Sequence, residues 1–175
     1  MKFFATVALL ATAVAAAPSQ RLFNLRTSGS SNSSHNDLYL SVGHGLASDP
    51  LNSEAIFSGA SASNAAAFSF INGTIVLDTE AKTPWTLDLI SVEGARKGRA
   101  QISVKPTYGS GGFSVSRQGV QGPSEIWDGW LWCPANFEAG QLFPNLHFLS
   151  KTVQEPALPE GCDRIQLNAV PTSSA

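Results

Sequence analysis

The chain is poor in charge. Only 14% of its 175 residues are Asp, Glu, Lys or Arg, and the net charge is −2. That balance excludes an electrostatic grip on nucleic acid, which needs a basic stripe. It does not make a disordered chain, because 43% of the residues are hydrophobic. The one basic cluster, Arg96, Lys97 and Arg99 in EGARKGR, is flanked by Gly94 and Gly98 and has no aromatic within it, so it reads as a solvated turn. Histidine is scarce too. His35 lies in a Ser/Asn loop and His44 between two glycines, so both are expected to be exposed and unpaired, and His147 in LHFL should alternate outward. None has the i, i+4 partner of a zinc-binding helix, and His35-Asn36-Asp37 reads as a turn, so no metal and no cofactor are expected.

Other absences narrow the fold. No apolar stripe at helical spacing persists for three turns, so the chain is not helical; SEAIFSGASASNAAAF can hold a helical turn or two at most. No G-x-S-x-G elbow is present, and Gly109-Ser110-Gly111-Gly112 opens no helix that could face a phosphate. The only long apolar run, Phe3 to Val14, is too short to span a bilayer, so no membrane span is expected. It follows Met1-Lys2 and precedes Ala13-Val14-Ala15, the pattern of an export signal cut after Ala15 or Ala16, since Pro18 disfavours a cut after Ala17. Residues 1–17 therefore read as a leader and 18–175 as a single secreted domain. Cysteine is limited to Cys133 and Cys162, an even pair that an oxidising compartment joins as one disulfide. In that compartment the sequons at Asn32 and Asn72 are expected to carry N-glycans.

What remains is β-rich. The densest stretch, IWDGWLWCPANF (126–137), holds three of the four tryptophans and Cys133, and Trp130 and Trp132 alternate with Leu131 and Cys133 as in a strand. AAFSFI-NG-TIVLD is the clearest hairpin, with Asn72-Gly73 suited to a type I′ turn. DLYLSV (37–42), WTLDLI (85–90), Ala100 to Val104, Phe113 to Ser116, Leu146 to Leu149 and Ile165 to Val170 read as further strands, and GHGLASDPLNS (43–53) as a loop. Phe23, Phe68 and Phe113 recur 45 residues apart, each before another β run. An all-β fold is expected. A β-trefoil-like barrel is favoured because closure removes sheet edges, with a two-sheet β-sandwich as the alternative.

Two kinds of site are conceivable. Trp130 and Trp132 share a strand face and belong to the core. Trp127 beside Asp128, with Tyr108, could form a flat platform and a hydrogen-bonding carboxylate for a sugar. Paired carboxylates among Asp78, Glu80, Asp88, Glu93, Asp128 and Glu138 are the catalytic alternative, as a glycoside-active enzyme would need.

FNLRTSG, HNDLYLSVGHG, FSFINGTIVLD and GWLWCP…GCDRIQLNAV resemble small secreted fungal proteins, and more distantly fungal conidial (phialide) cell-wall proteins. The resemblance implies an extracellular or wall-associated protein. It carries no active-site residues, and the early cysteine pair of many wall proteins is missing here. The expectation is a non-enzymatic protein of the cell surface, with wall polysaccharide or an extracellular protein as partner.

Overall fold

The computed structural model describes residues 21–46, 49–91, 95, 97–103, 111–136, 142–151 and 157–172. The expected leader lies outside them. Among the described residues there are twelve strands and two single 3₁₀ turns, Ser33–His35 and Ala62–Asn64. The strands are β1 (Phe23–Ser28), β2 (Leu40–Leu46), β3 (Asp49–Phe57), β4 (Ala67–Ile71), β5 (Thr74–Leu77), β6 (Trp85–Ile90), β7 (Lys97–Ser103), β8 (Ser114–Ser116), β9 (Gly119–Gln121), β10 (Trp127–Cys133), β11 (Asn145–Ser150) and β12 (Asp163–Pro171).

One antiparallel sheet runs β10-β12-β1-β4-β5-β6-β7-β11 and returns from β11 to β10. Near the seam β3 wedges between β7 and β11 and pairs with both, giving a closed barrel of nine strands. β2 pairs along β3, and β8 and β9 form a separate ribbon. The barrel expectation holds and the sandwich alternative does not. Closure pairs most of the strand edges that an open sheet would leave to solvent.

Alternation along each strand fills the interior. Phe23 and Leu25 of β1, Leu87 and Leu89 of β6, Leu146 and Phe148 of β11, and Ile165 and Leu167 of β12 all join one buried cluster. All three evenly spaced phenylalanines lie in that cluster, and Phe23 sits directly opposite Phe68 in the β1–β4 register. Trp130 is its largest member, 1% exposed. Its indole N–H donates to the Val120 carbonyl at 2.6 Å, and its ring lies parallel to Phe113 with centroids 6.4 Å apart. The β8–β9 ribbon is thereby tied to the main sheet.

β10 is buried on both faces. While Trp130 points inward, Leu131 and Cys133 form a second cluster with Leu149 and Cys162. The expected disulfide, Cys133–Cys162, is present and joins the end of β10 to the residue preceding β12.

Three local expectations are corrected. The stretch 43–53 is not a loop, because most of it lies in β2 and β3, which pair with register shifts around Gly45. The glycine that suggested a break at Gly43 allows close approach instead, since a Cβ there would come 3.1 Å from Ile56. Ser53 to Phe57, where a helical turn was allowed, is β3, and the helical part shrinks to Ala62–Asn64. Lys97 and Arg99 lie in strand β7 and not in a turn. Gly98 is there because the Phe148 ring covers it; a Cβ would meet that ring at 2.2 Å. The Asn72-Gly73 hairpin forms as expected, with φ of +48° and +80° at its two central residues.

Candidate functional site

The barrel carries its most unusual polar chemistry where β3 splits β7 from β11. β11 pairs with β7 from His147 to Leu149, opposite Arg99 to Lys97, then passes to β3 at Asn145. β7 in turn takes up β3 at Gln101, opposite Glu54. Between these switches the ladders diverge and leave a cavity of about 20 Å³, lined among others by Asn52, Glu54, Arg99, Gln101, Asn145 and His147. Alternation explains the lining. Leu146, Phe148, Ala100, Ala55 and Phe57 point into the core, so the intervening residues face outward.

Outward does not mean solvated here. His147 is 5% exposed and Asn145 only 4%. The expectation of an outward histidine is met in direction but not in exposure. His147 Nδ1 lies 3.1 Å from the Gly98 carbonyl. A carbonyl only accepts, so Nδ1 carries the proton and Nε2 keeps a free lone pair for accepting. Burial pulls the imidazole down to about 4; the charges of Lys97 and Arg99 add to that, and the Gly98 bond opposes it. It is therefore neutral at pH 7. Gln101 Nε2 donates to Asn52 Oδ1 at 2.8 Å. Asn145 differs from its neighbours: both its amide nitrogen and its amide oxygen are buried with no hydrogen-bond partner.

A second polar cluster sits beside the disulfide. His35 is neither exposed nor unpaired. Its ring stacks on Trp132 with centroids 3.5 Å apart and planes 16° apart, and its Nδ1 lies 2.6 Å from Asp163 Oδ2. Ser30 also donates to that carboxylate, at 3.4 Å. The far ring nitrogen meets the Asn32 amide at 3.3 Å. An aspartate orienting a histidine is half of a nucleophilic triad, but the position a nucleophile would occupy holds an amide. The cluster instead ties the Ser/Asn segment to β10 and β12.

Of the expected sugar platform, Trp127 and Asp128 lie among the described residues. Trp127 is half-buried, with its ring 5.7 Å from that of Trp130 and tilted by 58°. It packs over Gly122, where a Cβ would come 2.7 Å from the indole. Asp128 is exposed and faces Arg164, whose guanidinium also donates to the Asp128 carbonyl at 3.1 Å. Tyr108 lies outside the described residues. Of the candidate carboxylates, Asp88 is buried on β6 and accepts from Thr86, Asp78 and Glu80 are exposed after β5, and Glu93 and Glu138 lie outside the described residues. Among the described residues no three His, Cys, Asp or Glu side chains converge as a metal site would require. Both sequon asparagines are exposed. Asn32 Oδ1 accepts from the Ser34 amide and hydroxyl, and Asn72 sits at a hairpin tip.

Sequence reasoning missed Asn145, Asn52, Gln101 and Arg99 as a group. The period of NLHFLS does put Asn145 and His147 on one face, and that of KGRAQIS does the same for Arg99 and Gln101. A polar outward face ordinarily signals solvent, and which strands would meet at the barrel seam is not a local property.

No helix of the described residues is long and apolar enough to cross a membrane. Neither curated proteins nor solved structures yielded a match to the chain. A family model spans residues 20–171, and the chain belongs to that family, described as a domain of unknown function (DUF7907).

Proposed function

We propose that the protein is exported and acts without enzymatic turnover at the cell surface or in the cell wall, where it contacts wall carbohydrate. The observation that carries this reading is the Cys133–Cys162 bridge. It is buried in its own apolar cluster, and a disulfide persists in oxidising compartments, not in the cytosol. The leader-like N-terminus and the sequons on exposed turns agree with export. The resemblance to secreted fungal and conidial wall proteins supplies the wall.

The groups that catalysis would recruit have structural employment. His35 is clamped between Trp132 and Asp163, and His147 holds a backbone carbonyl in its uncharged form. A barrel with amide side chains buried at its seam suits recognition of hydroxyl groups, because an amide both donates and accepts. The test has two arms. Expressed with its leader in a secretory host, the protein should appear in the medium with no free thiol and with a glycosidase-sensitive mass. The purified mature protein should sediment with insoluble wall glucan or chitin and not with an inert resin. Retention in the cytosol refutes export, and failure to sediment with either polymer refutes the wall contact.

A further inference from the structure

We infer that the fork between β3, β7 and β11 is a binding site for a neutral saccharide, which inserts one hydroxyl group toward Asn145. The inference rests on the carbohydrate reading above and gives it a location and a ligand chemistry.

Three observations select that ligand. First, Asn145 is an amide with both polar atoms buried and unpartnered, at the edge of a cavity. Leaving such a group unpaired carries a standing penalty, which a visiting partner would relieve. Second, the cavity of about 20 Å³ has room for one water-sized group and not for a ring. Any larger ligand must leave its body at the mouth, where Arg99 is exposed and Glu54 half-buried. Third, the unpartnered Asn145 side chain mixes roles. Its amide nitrogen donates, whereas its amide oxygen accepts. A hydroxyl donates and accepts, so it can satisfy both kinds of group. A carboxylate or phosphate only accepts and would face lone pairs. A cation would meet the Lys97 and Arg99 charges that already disfavour a protonated His147.

Of the amides lining the cavity, Asn52 and Gln101 bond to each other, while both polar atoms of Asn145 are buried without a partner. A saccharide hydroxyl seated there would be held by the barrel wall itself, with little loop ordering to oppose binding.

The experiment is an NMR titration of the ¹⁵N-labelled mature protein, disulfide intact, with cellohexaose, chitohexaose and, as the anionic comparison, a hexagalacturonate. The Asn145 side-chain amide signals are identified by their loss in Asn145→Leu. They should shift and saturate with at least one neutral hexamer and not with the anionic one. Asn145→Leu and the nearly isosteric Asn145→Asp should each weaken Kd about tenfold or more, the size expected when one good hydrogen-bonding group is lost. Arg99→Ala, at the exposed mouth, should weaken it several-fold and keeps the test open if the Asn145 variants fail to fold. Neutral hexamers that bind wild type and all three variants equally overturn this site and leave the carbohydrate reading standing. An Asn145 amide that shifts with methyl glucoside, in a protein that does not sediment with wall polymer, supports the site and overturns the wall reading. No shift of the Asn145 amide with any saccharide overturns this site, and the wall reading then falls with it only if the protein also fails to sediment with wall polymer.

Discussion

Trp130→Phe tests whether one indole ties the β8–β9 ribbon to the barrel. The substitution keeps an aromatic ring beside Phe113 and removes two things. The first is the N–H that donates to the Val120 carbonyl at 2.6 Å, in a region where Val120 itself is 2% exposed. A buried carbonyl left without its donor costs about 1–3 kcal/mol. The second is part of the apolar bulk of a side chain with 1% exposure, worth about 1–2 kcal/mol with its residual cavity. Together the loss should be about 3 kcal/mol, or a Tm lower by about 6–12 °C for a chain of this size. Trp127→Phe and Trp132→Phe are the internal controls. Their indole nitrogens are buried but have no partner, so replacing them removes an unsatisfied group and should cost far less. Thermal and urea unfolding of the three variants, followed by near-ultraviolet circular dichroism, gives the comparison. If Trp130→Phe costs no more than Trp127→Phe, the bond to Val120 is not what holds the ribbon and the account of the core fails.

The remaining predictions concern the clasp and the buried histidine. Cys133→Ala/Cys162→Ala frees a loop with a sequence separation of 29 and should lower stability by about 3–4 kcal/mol in the chain-entropy model, read from the urea midpoint; an unchanged midpoint removes the clasp from the account. His147 titrates near 6.5 when unfolded and at about 4 when folded, so its contribution is complete above pH 6.5 and is lost as the pH falls toward 4, where the unfolded state binds a proton that the folded state refuses. Wild type should lose about 3 kcal/mol more than His147→Gln across that window, and parallel stability–pH curves for the two proteins would show that the imidazole is not buried in neutral form.

Much of the fold was legible because its signals are local. The FSFI-NG-TIVL hairpin follows from alternation plus two residues that tolerate positive φ, and β6 and β12 follow from alternation alone. The disulfide was legible from arithmetic on two cysteines. Misreadings arose where one residue type serves two purposes. Gly43 and Gly98 looked like turn formers, yet each sits in a strand under a neighbouring side chain, which a Cβ would crowd at Gly43 and collide with at Gly98. Lys97 and Arg99 were read by charge when their period placed them on β7. His35 was read from its polar surroundings, whereas its partners Trp132 and Asp163 are about a hundred residues or more away in the chain and are brought to it by β10 and β12. The fork was illegible for the same reason. Each of its residues is unremarkable on its own strand, and only the barrel's closure makes them neighbours.

That closure also accounts for why polar chemistry gathers at the seam. A regular ladder supplies each backbone N–H and C=O with a fixed partner, but β7 and β11 each change partner where β3 enters. At a change of partner the strands splay, and apolar side chains alone would leave the turning backbone beside an empty, dry gap. Short amides and an imidazole can bond across such a gap, as Gln101 does to Asn52 and His147 to the Gly98 carbonyl. The need to satisfy the split sheet thus places donors and acceptors around a small opening before any ligand is considered. Recognition then requires only that one of those side chains be left over, and Asn145 is the one left over.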